Sequence, residues 1–253
     1  MEEHMSNQVN REELLRQLEA VVPGTTTREV LEQSSCFICQ NGEVTTFNGE
    51  VACIGPSSLP ADFTGAIKAD KLLDILRKFP EDTLDVEYSD AEIIFTGKRR
   101  QSGLRMEKEI NLPVHMVEKP GKWAKLHNDF TEAVGIVQSC AATDVSKGFE
   151  ISCVHIHPKW VEASDKYQIC RWNLPTGFKQ SVLVKQSAMK HVASLGMTEY
   201  GETDGWVHFR NDRGLRLSCL RYMDSFPDLS AFLKVEGKPA TLPKGLAEAA
   251  TIA

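Results

Sequence analysis

The stretch Val161–Trp172, VEASDKYQICRW, decides the fold because the chain contains an earlier copy of it. Val44–Cys53, VTTFNGEVAC, aligns with Val161–Cys170 without a gap at a shift of 117 residues. In this alignment the polar turn residue Asn48 pairs with Asp165. Alternating apolar and polar residues on both sides of the turn predict a pair of β-strands in each copy. The sequence therefore indicates one structural unit that occurs twice.

Helical patterns repeat at nearly the same shift. Glu13–Val22, ELLRQLEAVV, and Asp129–Ser139, DFTEAVGIVQS, both place apolar residues at helical spacing. A second helix is predicted at residues 69–79 in the first copy and at residues 186–195 in the second. A period longer than about 50 residues is typical of duplicated domains rather than of a solenoid. The sequence therefore predicts an α+β fold in which each domain packs two helices on an antiparallel sheet.

The repeat also predicts the domain boundaries. The first domain is expected at residues 11–115 and the second at residues 122–235. Leu242–Ala253, LPKGLAEAATIA, places Leu246 at a shift of 116 residues from Phe130. We interpret this stretch either as the start of a third copy in a truncated chain or as a C-terminal tail rich in alanine.

The composition limits the classes of function. The chain has 253 residues, 42% of them hydrophobic, and a formal net charge of −6 at pH 7. Such a chain is long enough for two soluble domains and lacks the basic excess of most nucleic-acid-binding proteins. No apolar run approaches the roughly 20 residues that span a bilayer. The polar start, MEEHMSNQVN, is expected to be a disordered lead and is unlike a secretory signal, so we expect a cytoplasmic protein.

The cysteines are predicted to be reduced. There are seven of them, an odd number, scattered along the chain. Cys36 and Cys39 form a C-x-x-C, but in the strand-like run CFIC residues three apart point to opposite faces. We therefore interpret these two residues as core positions rather than as a metal or redox pair.

No enzyme signature is present in the sequence. It contains no Walker-type glycine loop, no G-x-S-x-G and no H-E-x-x-H, and no cofactor is indicated. His155 and His157 would share one face of a strand, as metal ligands do, but no third ligand is indicated, which favours a structural or surface role. Asp165 is better explained as a turn-stabilising residue than as a catalytic acid. An enzyme that uses these three residues is kept as an alternative.

Three stretches resemble the bacterial and phage sliding clamps, the DNA polymerase III beta subunit family. VEASDKYQICRW resembles the A-T-D-G-x-R-L turn in the middle domain of that family. LRYMDSFPDLSAFL, residues 220–233, resembles the L-x-D-G-x-F-P-D-Y segment at the end of the same domain. DILRKFPED, residues 74–82, is similar to the second inner helix of the first domain and its Pro-terminated end.

The resemblance has departures. The glycine and arginine of the family's turn are Lys166 and Gln168 here, and its leucine is Ile169. An arginine expected after the first helix aligns with Thr25. These changes indicate a divergent clamp, of phage or bacterial origin.

The resemblance implies duplicated DNA-clamp domains that form a ring, with helices around the hole and β-sheet outside. Such a ring encircles double-stranded DNA and tethers the replicative DNA polymerase as a processivity factor, without catalysing a reaction. Six domains would close the ring, so this homo-oligomer is expected to be a dimer if a third domain exists and a trimer if not. The incipient third copy favours the dimer. The candidate DNA-binding residues, in order of preference, are Arg77, Lys78, Lys71, Lys190 and Lys185.

The resemblance also implies a pocket for partner peptides. DNA polymerase and the clamp loader insert a short peptide motif with apolar anchors between the middle and last domains of the family. Carried over by residue, the middle-domain wall of this pocket consists of Ser164, Ile169, Pro227 and Phe232.

One alternative function belongs to another class of binding protein. A clamp-fold protein that sequesters replication factors without encircling DNA would also fit the sequence. The acidic residues Glu12, Glu13 and Glu19 on the first helix offset Arg11 and Arg16, which makes the predicted lining only weakly basic.

Overall fold

The computed structural model describes residues 7–234 and the single positions 237, 241, 243 and 245. The predicted start of a third domain at Leu242–Ala253 therefore lies outside the described residues, apart from Pro243 and Gly245. None of the helices in the described part of the chain has the length and apolarity needed to cross a lipid bilayer.

The first half contains two helices and eight strands. In chain order these are β1 (Asn7–Asn10), α1 (Arg11–Val21), β2 (Cys36–Gln40), β3 (Glu43–Phe47), β4 (Val51–Pro56), β5 (Gly65–Lys68), α2 (Ala69–Lys78), β6 (Thr83–Tyr88), β7 (Glu92–Thr96) and β8 (Gln101–Glu107).

The second half repeats this order element by element. It contains β9 (Ala124–Lys125), α3 (Phe130–Val137), β10 (Cys153–His157), β11 (Trp160–Ser164), β12 (Ile169–Asn173), β13 (Val182–Lys185), α4 (Gln186–Ser194), β14 (Glu199–Glu202), β15 (Trp206–Arg210) and β16 (Arg216–Leu220).

Strand pairing repeats as well. The first half is ordered β1-β6-β7-β8-β5-β2-β3-β4, and the second half is ordered β9-β14-β15-β16 and β13-β10-β11-β12. An isolated antiparallel bridge between Leu183 and Tyr222 lies where β5 and β8 pair in the first half. β4 pairs with β16 across the two halves and joins a 12-stranded antiparallel sheet. The predicted α+β fold, with two helices on an antiparallel sheet in each half, is confirmed.

Local sequence explains why the elements begin and end where they do. The side chain of Asn10 caps α1 by accepting a hydrogen bond from the backbone N–H of Glu13 at 2.9 Å. The helix ends before Pro23, which cannot continue it. Asn41 and Gly42 join β2 to β3 with φ values of 53° and 71°, the left-handed conformation of a tight hairpin turn.

The two faces of the sheet are covered differently. One face carries the helices, and the buried residues of α1, α2, α3 and α4 belong to one continuous core. The opposite, outer face of the first half is covered by the connector between the halves, whose Leu112 is buried with Ile38. Cys39 points to the helix side and Cys36 to the outer side, as the C-x-x-C spacing predicted.

Three strands, β1, β9 and β14, differ from the prediction; β9 lies in the stretch interpreted as the connector between the two units. The lead was predicted to be disordered, but Asn7–Asn10 forms β1 and pairs with β6. Only Val9 of this strand is buried, so the sequence carries no alternating apolar pattern there. β14 was not predicted either, because the run EYGE is short and contains two charged residues and a glycine.

Candidate functional site

The outer faces of the two halves differ in chemistry. In the second half His155, Glu162 and Arg171 lie side by side on β10, β11 and β12. At the repeat shift of 117 residues the first half has Ile38, Thr45 and Ile54. A face that is largely apolar in one half therefore carries an ionisable cluster in the other.

Glu162 is the centre of this cluster. Its side chain is 2% exposed and accepts hydrogen bonds from Trp160 Nε1 at 2.9 Å and from Arg171 Nε at 2.7 Å. His155 Nδ1 lies 2.8 Å from Glu162 Oε1, the oxygen that also accepts the hydrogen bond from Trp160. Burial raises the pKa of Glu162, but the hydrogen bonds from His155, Trp160 and Arg171 outweigh it, so the pKa is lowered overall. Glu162 is therefore ionised and fully partnered.

The cluster supports the segment that crosses this face, which we call the cover segment (Met223–Lys234). The ring of Phe226 stacks on His155 with a centroid distance of 4.9 Å. Hydrogen bonds from Ser230 and, more weakly, the charge of Arg171 lower the pKa of Asp228. The polar cluster thus fixes the strands and the cover segment relative to each other.

The predicted peptide-pocket residues are divided between this face and the cover segment. Ser164 and Ile169 are a cross-strand pair, two residues along from the pair of Glu162 and Arg171. Pro227 and Phe232 lie on the cover segment, and Phe232 is 71% exposed. The structure therefore brings Ser164 and Ile169 together, and the four-residue pocket stays a prediction.

The cleft at this face is lined by other residues. It has a volume of about 320 Å³ and lies between His155, Ser181, Leu183 and the residues 222–226. None of the four predicted pocket residues lines it.

Asp165 has the turn-stabilising role that the sequence favoured. Its Oδ1 accepts hydrogen bonds from the backbone N–H groups of Tyr167 and Gln168, both at 2.9 Å. Lys166 has a φ of 79°, a conformation that glycine adopts without strain. This is the position at which the resembling family has glycine.

The predicted DNA-binding residues are mostly on exposed helix surfaces. Lys71, Arg77 and Lys78 lie on α2, and Lys190 lies on α4. The Arg77 guanidinium is 2.7 Å from Glu19 Oε1 on α1. Within residues 7–234, Lys78 and Lys190 make no ion pair and are the more available cations.

Lys185 differs from the others. It is the last residue of β13 and immediately precedes α4, so it lies at the start of the helix and not on its exposed surface. Its ammonium forms an ion pair with Glu50 of the first half and lies over the rings of Phe149 and Tyr222. Lys185 therefore contributes to the contact between the halves.

A basic turn next to α2 was not singled out from the sequence. Lys98, Arg99 and Arg100 join β7 to β8 and are exposed. Arg100 Nη1 donates a hydrogen bond to the carbonyl oxygen of Lys78 at 2.6 Å, which places the turn at the C-terminal end of α2. The run K-R-R is visible in the sequence, but its position beside α2 depends on how the hairpin packs.

No metal centre is formed by the described residues, in which no group of three or more His, Cys, Asp or Glu side chains is suitably arranged. His155 is engaged by Glu162 and Phe226. His157 stacks on Trp160 with a centroid distance of 3.5 Å. The two histidines therefore take structural positions in the outer face.

Comparison by sequence finds no matching family model and no matching curated protein. The fold does match solved structures. The beta chain of DNA polymerase III from Streptococcus pneumoniae is similar with a TM-score of 0.76 and 13% identity, over 90% of this chain and 68% of that chain. The sliding clamp (DNA polymerase III subunit beta) from Pseudomonas aeruginosa, solved with griselimycin bound, is similar with a TM-score of 0.75 and 15% identity, over 91% of this chain and 68% of that chain.

The DNA polymerase sliding clamp from Bacillus subtilis gives a TM-score of 0.71 at 10% identity, over 91% of this chain and 68% of that chain. Identities of this size show the fold and leave the activity to be argued from the chain's own surfaces. The chain has the fold of the bacterial sliding clamps, the beta subunits of DNA polymerase III.

Proposed function

We propose that this protein is a DNA sliding clamp, a non-catalytic processivity factor that encircles duplex DNA and tethers a replicative DNA polymerase. The observation that carries the proposal is the junction between the halves. β4 and β16 continue one sheet while the helices of both halves bury their apolar faces in one core. Repeating this junction in further domains would continue a helix layer on one side and a sheet on the other.

The proposal explains how an acidic protein could act on DNA. A ring holds DNA by topology, so it needs few phosphate contacts, and a net charge of −6 is tolerable if local positive charge lies on the helix layer. Lys71, Lys78 and Lys190 supply such charge, and Arg77 adds to it beside Glu19. The two clamp domains would be residues 11–115 and 122–235.

The outer face of the second half is the proposed site for partner peptides. Ile169, Pro227 and Phe232 offer aliphatic, proline and aromatic surface, which suits apolar peptide anchors, and the buried Ser164 lies beside Ile169 as its cross-strand partner. The buried cluster around Glu162 holds this surface in place. DNA polymerase and the clamp loader are the proposed partners.

A second candidate is a clamp-fold protein that sequesters replication factors without encircling DNA. The observation that favours it is the charge balance of the helix layer: Arg77 is neutralised by Glu19, and Lys71 lies 3.5 Å from Asp70. Such a protein would bind partner peptides at the outer face of the second half and would not encircle DNA.

Retention on circular DNA separates these functions. Chains dissociated by dilution are concentrated again in the presence of a nicked circular plasmid, which is then passed through a gel-filtration column. A clamp co-elutes with the circle and is lost when a restriction enzyme linearises it. A conventional DNA-binding protein stays on both forms, and a sequestering protein stays on neither while still binding polymerase peptides.

A further inference from the structure

We propose that Cys140 and Cys170 are a redox-active thiol pair, which closes to a disulfide within the chain by exchange with a low-molecular-weight disulfide. Cys140 lies in the turn after α3 (Gln138–Cys140), which we call the α3 end turn, and Cys170 lies on β12. The inference goes beyond the proposed clamp function and does not rest on it, because it concerns the second half of a single chain.

Accessibility distinguishes these two residues from the other cysteines. All seven cysteines are free thiols, and the five others are buried. Cys140 and Cys170 are partly exposed and pack against the helix-side core. Among the seven cysteines, this pair is therefore the one that reagents in solvent can reach.

The two side chains face each other. Cys170 points to the helix side of β12, because the next residue, Arg171, belongs to the ionisable cluster of the outer face. Gln168 Nε2 donates a hydrogen bond to the carbonyl oxygen of Ser139 at 3.4 Å, which places the α3 end turn over this side of β12. Burial, and then the charge and hydrogen bonding of Cys140, raise the pKa of the Cys170 thiol. The two thiols therefore interact directly.

The first half has the same arrangement with one thiol fewer. At the repeat shifts of 116 and 117 residues, Gly24 is the counterpart of Cys140 and Cys53 is the counterpart of Cys170. Burial raises the pKa of the Cys53 thiol to about 12, and a hydrogen bond from the Gly24 backbone opposes this shift. The two positions are thus in contact in both halves, and the second half has a thiol at each of them.

The sequence of the second half makes room for the extra side chain. A Cβ added to Gly24 would lie 2.3 Å from Thr46 Oγ1, so the first half has no space for one. Thr46 uses this hydroxyl to donate a hydrogen bond to the carbonyl oxygen of Val21 at 2.6 Å. The counterpart of Thr46 is Ala163, which has no hydroxyl. The second half therefore lacks the group that lies nearest to this position, and it has Cys140 there.

Strand order makes the pair reactive in the second half alone. Within residues 7–234, β12 pairs only with β11, whereas its counterpart β4 is covered by β16. Small molecules can therefore approach Cys170 from the open edge of its sheet. At the equivalent position Cys53 is fully buried opposite Leu217 of β16.

The reaction consists of two thiol–disulfide exchanges. The Cys140 thiolate attacks one sulfur of a small disulfide such as glutathione disulfide, releases one glutathione and keeps the other as a mixed disulfide. Cys170 then loses its proton to solvent and attacks the Cys140 sulfur, which displaces the second glutathione. The protein gives up two protons and two electrons, and the small disulfide is reduced to two thiols. A dithiol reductant reverses both exchanges.

The order of attack follows from the raised pKa of Cys170. At neutral pH this thiol is mostly protonated, and only the thiolate is a nucleophile. Cys170 is therefore assigned as the resolving thiol and Cys140 as the attacking one. The mixed disulfide is expected on Cys140.

The disulfide would tie the end of α3 to β12 and close the loop of residues 140–170. Such a cross-link stabilises a fold mainly by restricting the unfolded chain. The melting temperature of the oxidised chain should be about 5 °C or more above that of the reduced chain. Oxidation would also hold β12, the strand that carries Ile169, against α3.

The first test follows the thiols of the wild-type chain. The folded protein is incubated with an excess of glutathione disulfide, and its free thiols are counted after unfolding. Two of the seven thiols should disappear without a gain of glutathione mass, and peptide mapping should link Cys140 to Cys170. Dithiothreitol should restore both thiols and lower the melting temperature again.

The second test assigns the two roles. Cys170→Ser should accumulate a stable mixed disulfide on Cys140, at least about tenfold more than the wild type does. Cys140→Ser should take up much less glutathione, because the resolving thiol attacks poorly. Cys153→Ser, which removes a buried thiol of the same half, is the control and should form the disulfide as the wild type does. The first test uses the wild type, so it does not depend on the folding of any variant.

Several outcomes would overturn the inference. These are retention of all seven thiols while a small dithiol peptide in the same solution is oxidised, glutathione that stays on Cys140 of the wild type, and a cross-link between two chains in place of the internal one. A link that includes Cys53 or Cys219 would also do so. Disulfide formation by a chain that is not retained on circular DNA would contradict the clamp function and leave this inference standing.

Discussion

Glu162 shows how one residue can make the outer face of one half chemically different from the same face of the other half. It takes the place of Thr45, and a buried carboxylate is tolerated only because His155, Trp160 and Arg171 all bond to it. The apolar first half shows that the fold itself does not require these charges. Their role is therefore local, and it is to hold the cover segment on the outer face.

Replacement of Glu162 by glutamine should destabilise the protein by roughly 2–4 kcal/mol, because His155 and Arg171 lose their shared anion. The ionised form is favoured in the folded state, since the pKa of Glu162 lies below its ordinary value of 4.5. Its contribution is therefore fully present above about pH 4.5 and is lost as the pH falls toward the folded-state pKa.

Urea unfolding at several pH values measures this effect. The difference in free energy of unfolding between the wild type and Glu162→Gln should shrink below about pH 4.5. Glu87→Gln, an exposed change on β6, is the control and should stay within about 0.5 kcal/mol of the wild type. A difference for Glu162→Gln that does not vary with pH would contradict the role of the ionised carboxylate.

At the scale of the structural elements, the turn between β11 and β12 is closed by side-chain hydrogen bonds and also contains a residue in an unfavourable backbone conformation. Asp165 closes the turn by accepting two backbone hydrogen bonds, while Lys166 adopts a positive φ of 79°. A side chain in this conformation costs about 1 kcal/mol, which glycine avoids at an entropic cost.

Lys166→Gly should therefore stabilise the protein by roughly 0.5 kcal/mol, measured as a shift of the urea midpoint at constant slope. Lys159→Gly is the matched control, since Lys159 lies in the neighbouring β10–β11 turn and is not among the residues with positive φ. The control change should destabilise the protein by a similar amount or more. Equal destabilisation by both changes would show that backbone strain at Lys166 is negligible.

Elements with strong local signals could be predicted from the sequence. The apolar periodicity of α1 through Leu14 and Leu18, and the Asn41–Gly42 turn, specify their structures by themselves. β1 could not be predicted, because a polar edge strand gets its stability from pairing with β6.

The candidate site was predictable only in part. The motif residues Ser164 and Ile169 lie side by side on β11 and β12, and their role as a wall of a peptide pocket stays a prediction. The bond between His155 and Glu162 depends on the register of β10 with β11, and the position of Lys98–Arg100 depends on how a hairpin packs beside α2. Neither tertiary relation leaves a periodic pattern in the sequence.

On the scale of the whole molecule, the two halves form one body. The core runs without interruption from Leu14 in α1 to Val192 in α4, and the β4–β16 ladder continues the sheet across the junction. The helix layer and the outer face are thereby held on opposite sides. In the proposed clamp this arrangement separates the DNA from the partner peptides.

Charge reversal on the helix layer distinguishes a ring that encircles DNA from a protein that is held on DNA only by phosphate contacts. If the ring holds DNA by encircling it, reversing the charge of Lys78 and Lys190 together should weaken binding to short linear duplexes. The slope of log K against log[salt] should fall by about 1–2, because up to two phosphate contacts are lost in each chain. Retention on the closed circle should be largely unchanged. Lys119→Glu on the connector is the control for a change of net charge. If the double variant is lost from circular DNA as readily as from linear DNA, binding depends on phosphate contacts alone.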